Sequence, residues 1–262
     1  MTALAPVRGA LRFGTEESVF IGRSLRHSIR NIDALIMAIM LPVLLMLLFT
    51  FVFGGALDSE GGYVDYVVPG IILLCAGFGS AGTAVDVAGD METGIIDRFR
   101  TMPIRAWAVL TGHVIASLVR NLFATVVVIG VALLVGFRPD ASPLEWLAAF
   151  GIIALYILAI TYLFAAIGLA ARSAEAANGY TFILMFLPYL SSAFVPVETL
   201  PVWLQWVAQN QPITPIIESI RGLLLGTDLG ASPLLALGWC ALILIAAVVW
   251  AAAVFRRKAA RR

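Results

Sequence analysis

The sequence predicts an all-α integral membrane protein with six transmembrane helices, and three observations carry that prediction. Of 262 residues, 61% are hydrophobic and 13% charged, with a mean hydropathy of +0.98, whereas a soluble domain carries about 25% charged residues. Too little polar surface remains to clothe a globule in water. Six apolar runs, roughly 34–56, 67–89, 113–136, 146–171, 178–197 and 233–255, each reach the ~20 residues a helix needs to cross ~30 Å of hydrocarbon. They leave no connection long enough for a soluble domain, so residues 1–262 read as one membrane domain. The basic residues are also one-sided. If both termini share a side, fourteen of the seventeen Lys and Arg lie there, Arg138 and Arg221 lie opposite, and Arg120 falls inside a run. The positive-inside rule then places both termini in the cytoplasm, beneath a plasma membrane.

The segment 10–31 is too polar to cross. Ile21, Leu25 and Ile29 form one helical stripe and Arg23, Arg26 and Arg30 a neighbouring one, which suits an interfacial helix with arginines toward lipid head groups. An ordinary basic flank is the alternative. The first apolar run is longer than a signal-peptide core and reads as a retained span. Pro42, Pro69 and Pro188 fall within or at the start of runs, which membrane helices tolerate when neighbours satisfy the freed backbone groups. Gly77 to Gly82 spells GxGxxG inside an apolar run. Without a preceding strand that pattern marks close helix packing, not a dinucleotide site.

Asp86 and Arg120 each lie about one turn inside the cytoplasmic end of adjacent antiparallel runs, so the two are expected to pair, for structure or for function. The loop 90–106 sets Ile95, Ile96 and Phe99 among Asp90, Glu92, Asp97, Arg98 and Arg100. That composition suits a short helix docking on another protein; a solvated face with local ion pairs is the alternative. In the outer segment 198–228, Ile213, Ile216, Ile217, Ile220, Leu223 and Leu224 recur at helical spacing. About a dozen apolar residues cannot span, which points to short re-entrant or interfacial helices. Trp203 and Trp206 fit the head-group belt, Pro196, Pro201, Pro212 and Pro215 break the segment, and Glu218 can pair with Arg221 at i,i+3. A plain helical cap over the outer leaflet is the other reading.

Several chemistries are excluded. His27 and His113 are the only histidines and lie far apart, so no metal centre is expected. No GxSxG turn supports a serine nucleophile, and Cys75 and Cys240 sit in apolar runs that offer no disulfide framework. The single lysine, Lys258, has no Gly-rich lead, so no Walker A loop is present. The chain is therefore not expected to be an enzyme by itself. An ATP-driven cycle would borrow a separate nucleotide-binding subunit, with 90–106 as the best-shaped contact for it.

The chain resembles the membrane subunits of ABC-2-type exporters, most closely the daunorubicin/doxorubicin-resistance type, over about residues 30 to 256. The likeness runs through Phe51-Val52-Phe53-Gly54-Gly55-Ala56, Val68-Pro69-Gly70, Gly94 through Ile104, Leu118-Val119-Arg120-Asn121 and Gly136-Phe137-Arg138-Pro139. It continues through Thr199 to Leu204, Gln211-Pro212-Ile213-Thr214 and Arg221-Gly222-Leu223. The resemblance implies a bacterial permease working with two ABC ATPase subunits, which hold ATP and Mg, and with a second permease subunit, identical or related. No cofactor is expected in this chain, and no nucleic acid. It further implies that Glu92, Gly94, Asp97, Arg98, Phe99, Arg100 and Pro103 belong to a coupling helix seated in the ATPase. Residues 198–228, with Trp203, Pro212, Glu218 and Arg221, would form paired short helices on the outer side. The implied cargo is a lipophilic or amphipathic drug, antibiotic or lipid. An exporter of polysaccharide or lipid-linked glycan is the closest rival. An intramembrane lipid-acting enzyme would need a catalytic polar cluster that the sequence does not assemble, and a non-transporting scaffold is a third alternative.

Overall fold

A computed structural model describes residues 32–57, 62–92 and 106–260. The expected interfacial helix at 10–31 lies outside them. Every regular element among the described residues is helical. Helix α1 (Ile32–Leu47) continues through a π-helical turn (Leu48–Phe53) into a short turn, Gly54–Leu57. Then follow α2 (Tyr63–Glu92), α3 (Ala106–Val135), α4 (Pro143–Ala170), α5 (Ala174–Leu184), α6 (Val202–Asn210), α7 (Ile213–Leu225) and α8 (Ser232–Ala260). Five stretches are long and apolar enough to cross a bilayer: Ala38–Ala56, Tyr63–Glu92, Leu110–Val135, Pro143–Ala170 and Ser232–Arg257.

Helices α2 and α4 form the centre. About two-thirds of each apolar window is buried in the protein (67%), against 22% for the windows of α1 and α8, which lie at the periphery. Close approach of α2 and α4 depends on Gly168, where an added Cβ would strike the backbone of Ala84. Helix α4 starts on a capping box. Ser142 Oγ accepts from the Glu145 backbone N–H (3.4 Å), Glu145 Oε2 accepts from the Ser142 N–H (2.7 Å), and Pro143 occupies the first turn. Between α3 and α4 the chain turns on Gly136 at φ +122°, a conformation that favours glycine. Two backbone donors anchor this turn: Arg138 N–H to Asp65 Oδ1 and Asp140 N–H to the Leu224 carbonyl, both 3.0 Å. Cys75 and Cys240 are buried free thiols.

The run expected to cross as one helix over 178–197 does not. Helix α5 stops at Leu184, a 3-10 turn covers Leu187–Leu190, and irregular backbone follows. Pro188 explains the stop, because its ring would clash with the carbonyl four residues earlier, that of Leu184, and it has no N–H to give. The segment nevertheless runs the length of α2. At one end the Ala174 N–H donates to Glu92 Oε1 (3.3 Å). At the other, a Cβ on Gly70 would lie 2.7 Å from that of Ala193. Twenty-two residues of α2 separate these points, about 33 Å at 1.5 Å per residue.

The outer segment expected at 198–228 folds as two short helices, α6 and α7. Ile213, Ile216, Ile217, Ile220 and Leu224 of α7 are all buried, which is the stripe that the periodicity marks. Gly226, at φ 68°, ends α7 in the left-handed conformation.

Candidate functional site

Polar groups gather at three levels of this apolar bundle. The first is the end where α2 stops and α3 begins, here the loop end. Asp90, in the last turn of α2, meets His113 of α3 across 2.9 Å between Oδ2 and Nε2, with both side chains partly buried. Two residues on, Glu92 accepts from the Ala174 N–H, while Ser173 Oγ accepts from the Ala176 N–H (3.1 Å). Together Glu92 and Ser173 satisfy two of the unpaired N–H groups at the start of α5. Of the residues expected in the coupling segment, Glu92 is described; Gly94, Asp97, Arg98, Phe99, Arg100 and Pro103 lie outside the described residues.

One level deeper, Arg120 Nη2 donates to the Gly79 carbonyl at 3.0 Å. The same Nη2 would lie 3.8 Å from a Cβ on Gly82, one helical turn before Asp86, the partner expected for Arg120. Beside it, Asn121 is fully buried and its Nδ2 donates to Ser80 Oγ (3.0 Å) and Ser117 Oγ (3.2 Å). Thr161 Oγ1 of α4 donates to Ser80 Oγ at 3.0 Å. Hydrogen bonds of this kind join helices where lipid offers no competing partner. Glycine is required at 79 because an added Cβ would land on Asn121 Oδ1. In the GxGxxG stretch, then, Gly79 serves helix contact.

The third level is the opposite end, the cap end, where α6 and α7 sit. Arg221 is 5% exposed. Its Nη1 donates to Glu218 Oε1 (2.7 Å), its Nη2 to the carbonyls of Tyr66 (2.9 Å) and Ser192 (2.8 Å), and its guanidinium carbon lies 3.8 Å from the centre of the Tyr66 ring. Arg221 is one of several donors that serve the interrupted segment. Tyr63 Oη donates to the Phe194 carbonyl (2.7 Å), Gln211 Nε2 to the Leu190 carbonyl (2.5 Å) and Ser191 Oγ to the Pro188 carbonyl (2.5 Å). Three carbonyls that no helix pairs, those of Leu190, Ser192 and Phe194, are thus each met by a side chain, and the Pro188 carbonyl accepts from Ser191 Oγ as well as from the Ser191 N–H that closes the 3-10 turn. Pro212 precedes α7, and Trp203 on α6 is 71% exposed. A row of rings, Phe182, Phe186, Tyr189, Phe194, Phe49 and Phe53, connects α5 to α1 with centroid separations of 4.3–6.1 Å.

In the sequence, His113 stands out only as a possible metal ligand, and no local pattern joins it to Asp90. The available signal was their position, one on each side of the same short loop. Asn121 stands beside Arg120 in the sequence with no role marked for it; an amide inside an apolar run is the signal there. The partners of Arg221 beyond Glu218 are far away in sequence, and no local pattern marks them.

Residues 16–225 match the family described as ABC-2 type transporter. A daunorubicin resistance ABC transporter permease of Streptomyces coeruleorubidus is 30% identical over 195 residues, 74% of this chain and 69% of that protein. A probable doxorubicin resistance ABC transporter permease of Mycobacterium tuberculosis is 25% identical over 263 aligned positions, 97% of this chain and 95% of that one. A probable multidrug ABC transporter permease of Escherichia coli K12 is 27% identical over 163 residues, 60% of this chain and 44% of that one.

Proposed function

The chain belongs to the ABC-2 type transporter family, and from that premise we propose that it is the permease subunit of an exporter for lipophilic or amphipathic compounds. The observation that carries the reading is the family match across 16–225, which spans the loop end and most of the bundle. The absence of a Walker A loop from these 262 residues fits a division of labour. Two ABC ATPase subunits would bind ATP with Mg, and this chain would form the path together with a second permease subunit. The chain hydrolyses nothing itself and holds no cofactor.

In this reading residues 1–262 are one membrane domain of six crossings, both termini in the cytoplasm, and α5 with its continuation is the interrupted crossing. The charge asymmetry supports the orientation, and the ~33 Å run beside α2 supports the crossing. The loop end then faces the ATPase, and Glu92 through Pro103 carry the coupling contact. Helices α6 and α7 form the outer re-entrant pair. ATP-driven closure of the two ATPases would push on the loop ends of both permeases and open a path between them toward the outer leaflet. The names of the daunorubicin, doxorubicin and multidrug relatives favour a drug-like cargo. The partly exposed rings Phe182, Phe186 and Tyr189 also suit a glycan, the second reading.

Inside-out vesicles containing the chain and an ABC ATPase subunit test the proposal, with doxorubicin and a lipid-linked oligosaccharide as alternative probes. ATP-dependent doxorubicin uptake that disappears without this chain is the expected result. Reversing the charges of Asp97 and Arg98 together should leave membrane insertion intact and reduce ATPase association or substrate-stimulated turnover. ATP-dependent movement of the oligosaccharide alone would replace the drug reading. Movement of neither probe, with no ATPase association, would overturn the function.

A further inference from the structure

We propose that the last turn of α2 is a two-way joint: Asp90 clasps His113 so that the ends of α2 and α3 move as one lever, and Glu92 hands that movement to α5.

The argument starts from the positions of three residues. Asp90 and Glu92 lie in the final turn of α2, on the α2 side of the loop, and His113 lies two turns into α3, on the other side. Residues two apart on a helix point about 200° apart (100° per residue), so Asp90 and Glu92 serve opposite faces of one turn. The structure shows this: Asp90 reaches α3 at 2.9 Å and Glu92 reaches the first N–H of α5 at 3.3 Å. Either a neutral imidazole protonated at Nε2 or an imidazolium can donate to the Asp90 carboxylate, so the clasp does not depend on one charge state. On the other face, the carboxylate of Glu92 lies at the positive end of the α5 dipole, which adds attraction to the hydrogen bond.

Helix α5 is the appropriate receiver of such a movement. It is 11 residues long and ends at the break before Pro188, so it can swing without dragging a full-length helix. Its fully buried residues are few, Ala177 and Thr181, whereas α2 is buried along most of its length. The three-helix core of α2, α3 and α4 is held by the Asn121, Ser80 and Thr161 bonds. A push at the loop therefore meets a stiff block and a short mobile helix, with Glu92 between them. In this scheme Asp90 and His113 are positioning residues, and Glu92 acts inside the chain as well as beside the ATPase.

The lever rests on the coupling role proposed for the loop, whereas the clasp stands without it, and the test separates the two. In lipid nanodiscs containing the permease alone, Asp90→Ala and His113→Ala should each speed hydrogen exchange at the backbone amides of 88–92 and 111–115 by about tenfold, the scale of one lost charge-assisted hydrogen bond. Asp90→Asn and His113→Gln, which keep an acceptor and a donor, should restore most of the protection. Unchanged exchange in the alanine variants, or no rescue by the conservative ones, overturns the clasp. With the ATPase subunit present, spin labels on α5 and α3 should report a nucleotide-dependent distance change. Glu92→Ala and His113→Ala should abolish it, and Glu92→Gln should retain it. An undiminished change in the alanine variants overturns the lever. No nucleotide response in the wild type overturns the lever, while the vesicle uptake described above decides the function separately and the exchange result decides the clasp alone.

Discussion

The two ends of the bundle solve opposite problems with similar residues. At the cap end, Arg221 is buried and makes three hydrogen bonds and a ring contact, tying α7 to α2 and to the irregular stretch after α5. At the loop end, Asp90 meets His113 at 2.9 Å with both side chains partly open. Removing one partner of a buried, multiply bonded charge strands the others and costs about 3–5 kcal/mol. A partly exposed pair is worth about 1 kcal/mol, since water can replace each partner. The cap end is therefore built to keep one geometry, and the loop end is built so that its geometry can change at small cost.

Three substitutions can break or sharpen that contrast. The largest effect is expected at Arg221→Met, which keeps the side-chain bulk but strands the carbonyls of Tyr66 and Ser192 and leaves the part-exposed Glu218 carboxylate to water. A loss of about 3–5 kcal/mol should appear as a large fall in the thermal midpoint of the purified protein in detergent. Next comes Gly70→Ala. The added methyl would lie 2.7 Å from Ala193 Cβ and 2.8 Å from its Cα and carbonyl oxygen, and overpacking of this kind costs about 1–3 kcal/mol. Denaturant titration in mixed micelles measures it, with Gly77→Ala, where a Cβ meets nothing within 4 Å, as the matched control. The smallest effect on stability is expected at His113→Ala, about 1 kcal/mol, in the same thermal assay. If His113→Ala destabilised the protein as much as Arg221→Met, the loop end would be a second rigid anchor and the contrast would fail.

Apolar run length made the five long helices legible, because a bilayer-spanning helix must hide its own backbone and hydrophobicity alone sets its length. The buried stripe of α7 was equally legible, since its period of 3.6 survives in the spacing of Ile213, Ile216, Ile217 and Ile220. The interruption after Leu184 was not. Pro42 and Pro69 sit inside helices, so a proline in an apolar run does not by itself predict a break. What separates Pro188 is the supply of donors to the freed carbonyls of Leu190, Ser192 and Phe194: Gln211, Arg221 and Tyr63, from 21 to 131 residues away. Composition cannot show a supply that depends on tertiary contact. The same holds for the Asp90–His113 contact and for Asn121, whose partners lie on other helices.

The unwound backbone between Pro188 and Phe194 also carries a consequence for biosynthesis. When this stretch leaves the ribosome, Tyr63 has long been in place, whereas Gln211 and Arg221 have not yet been made. The carbonyls of Leu190 and Ser192 must then wait for donors encoded 21 and 29 residues downstream. Until α6 and α7 fold back, that part of the chain cannot reside comfortably in hydrocarbon. In the six-crossing reading proposed above, assembly is therefore expected to follow an order: the α2–α4 block first, the α6–α7 pair next, and the settling of the α5 continuation last.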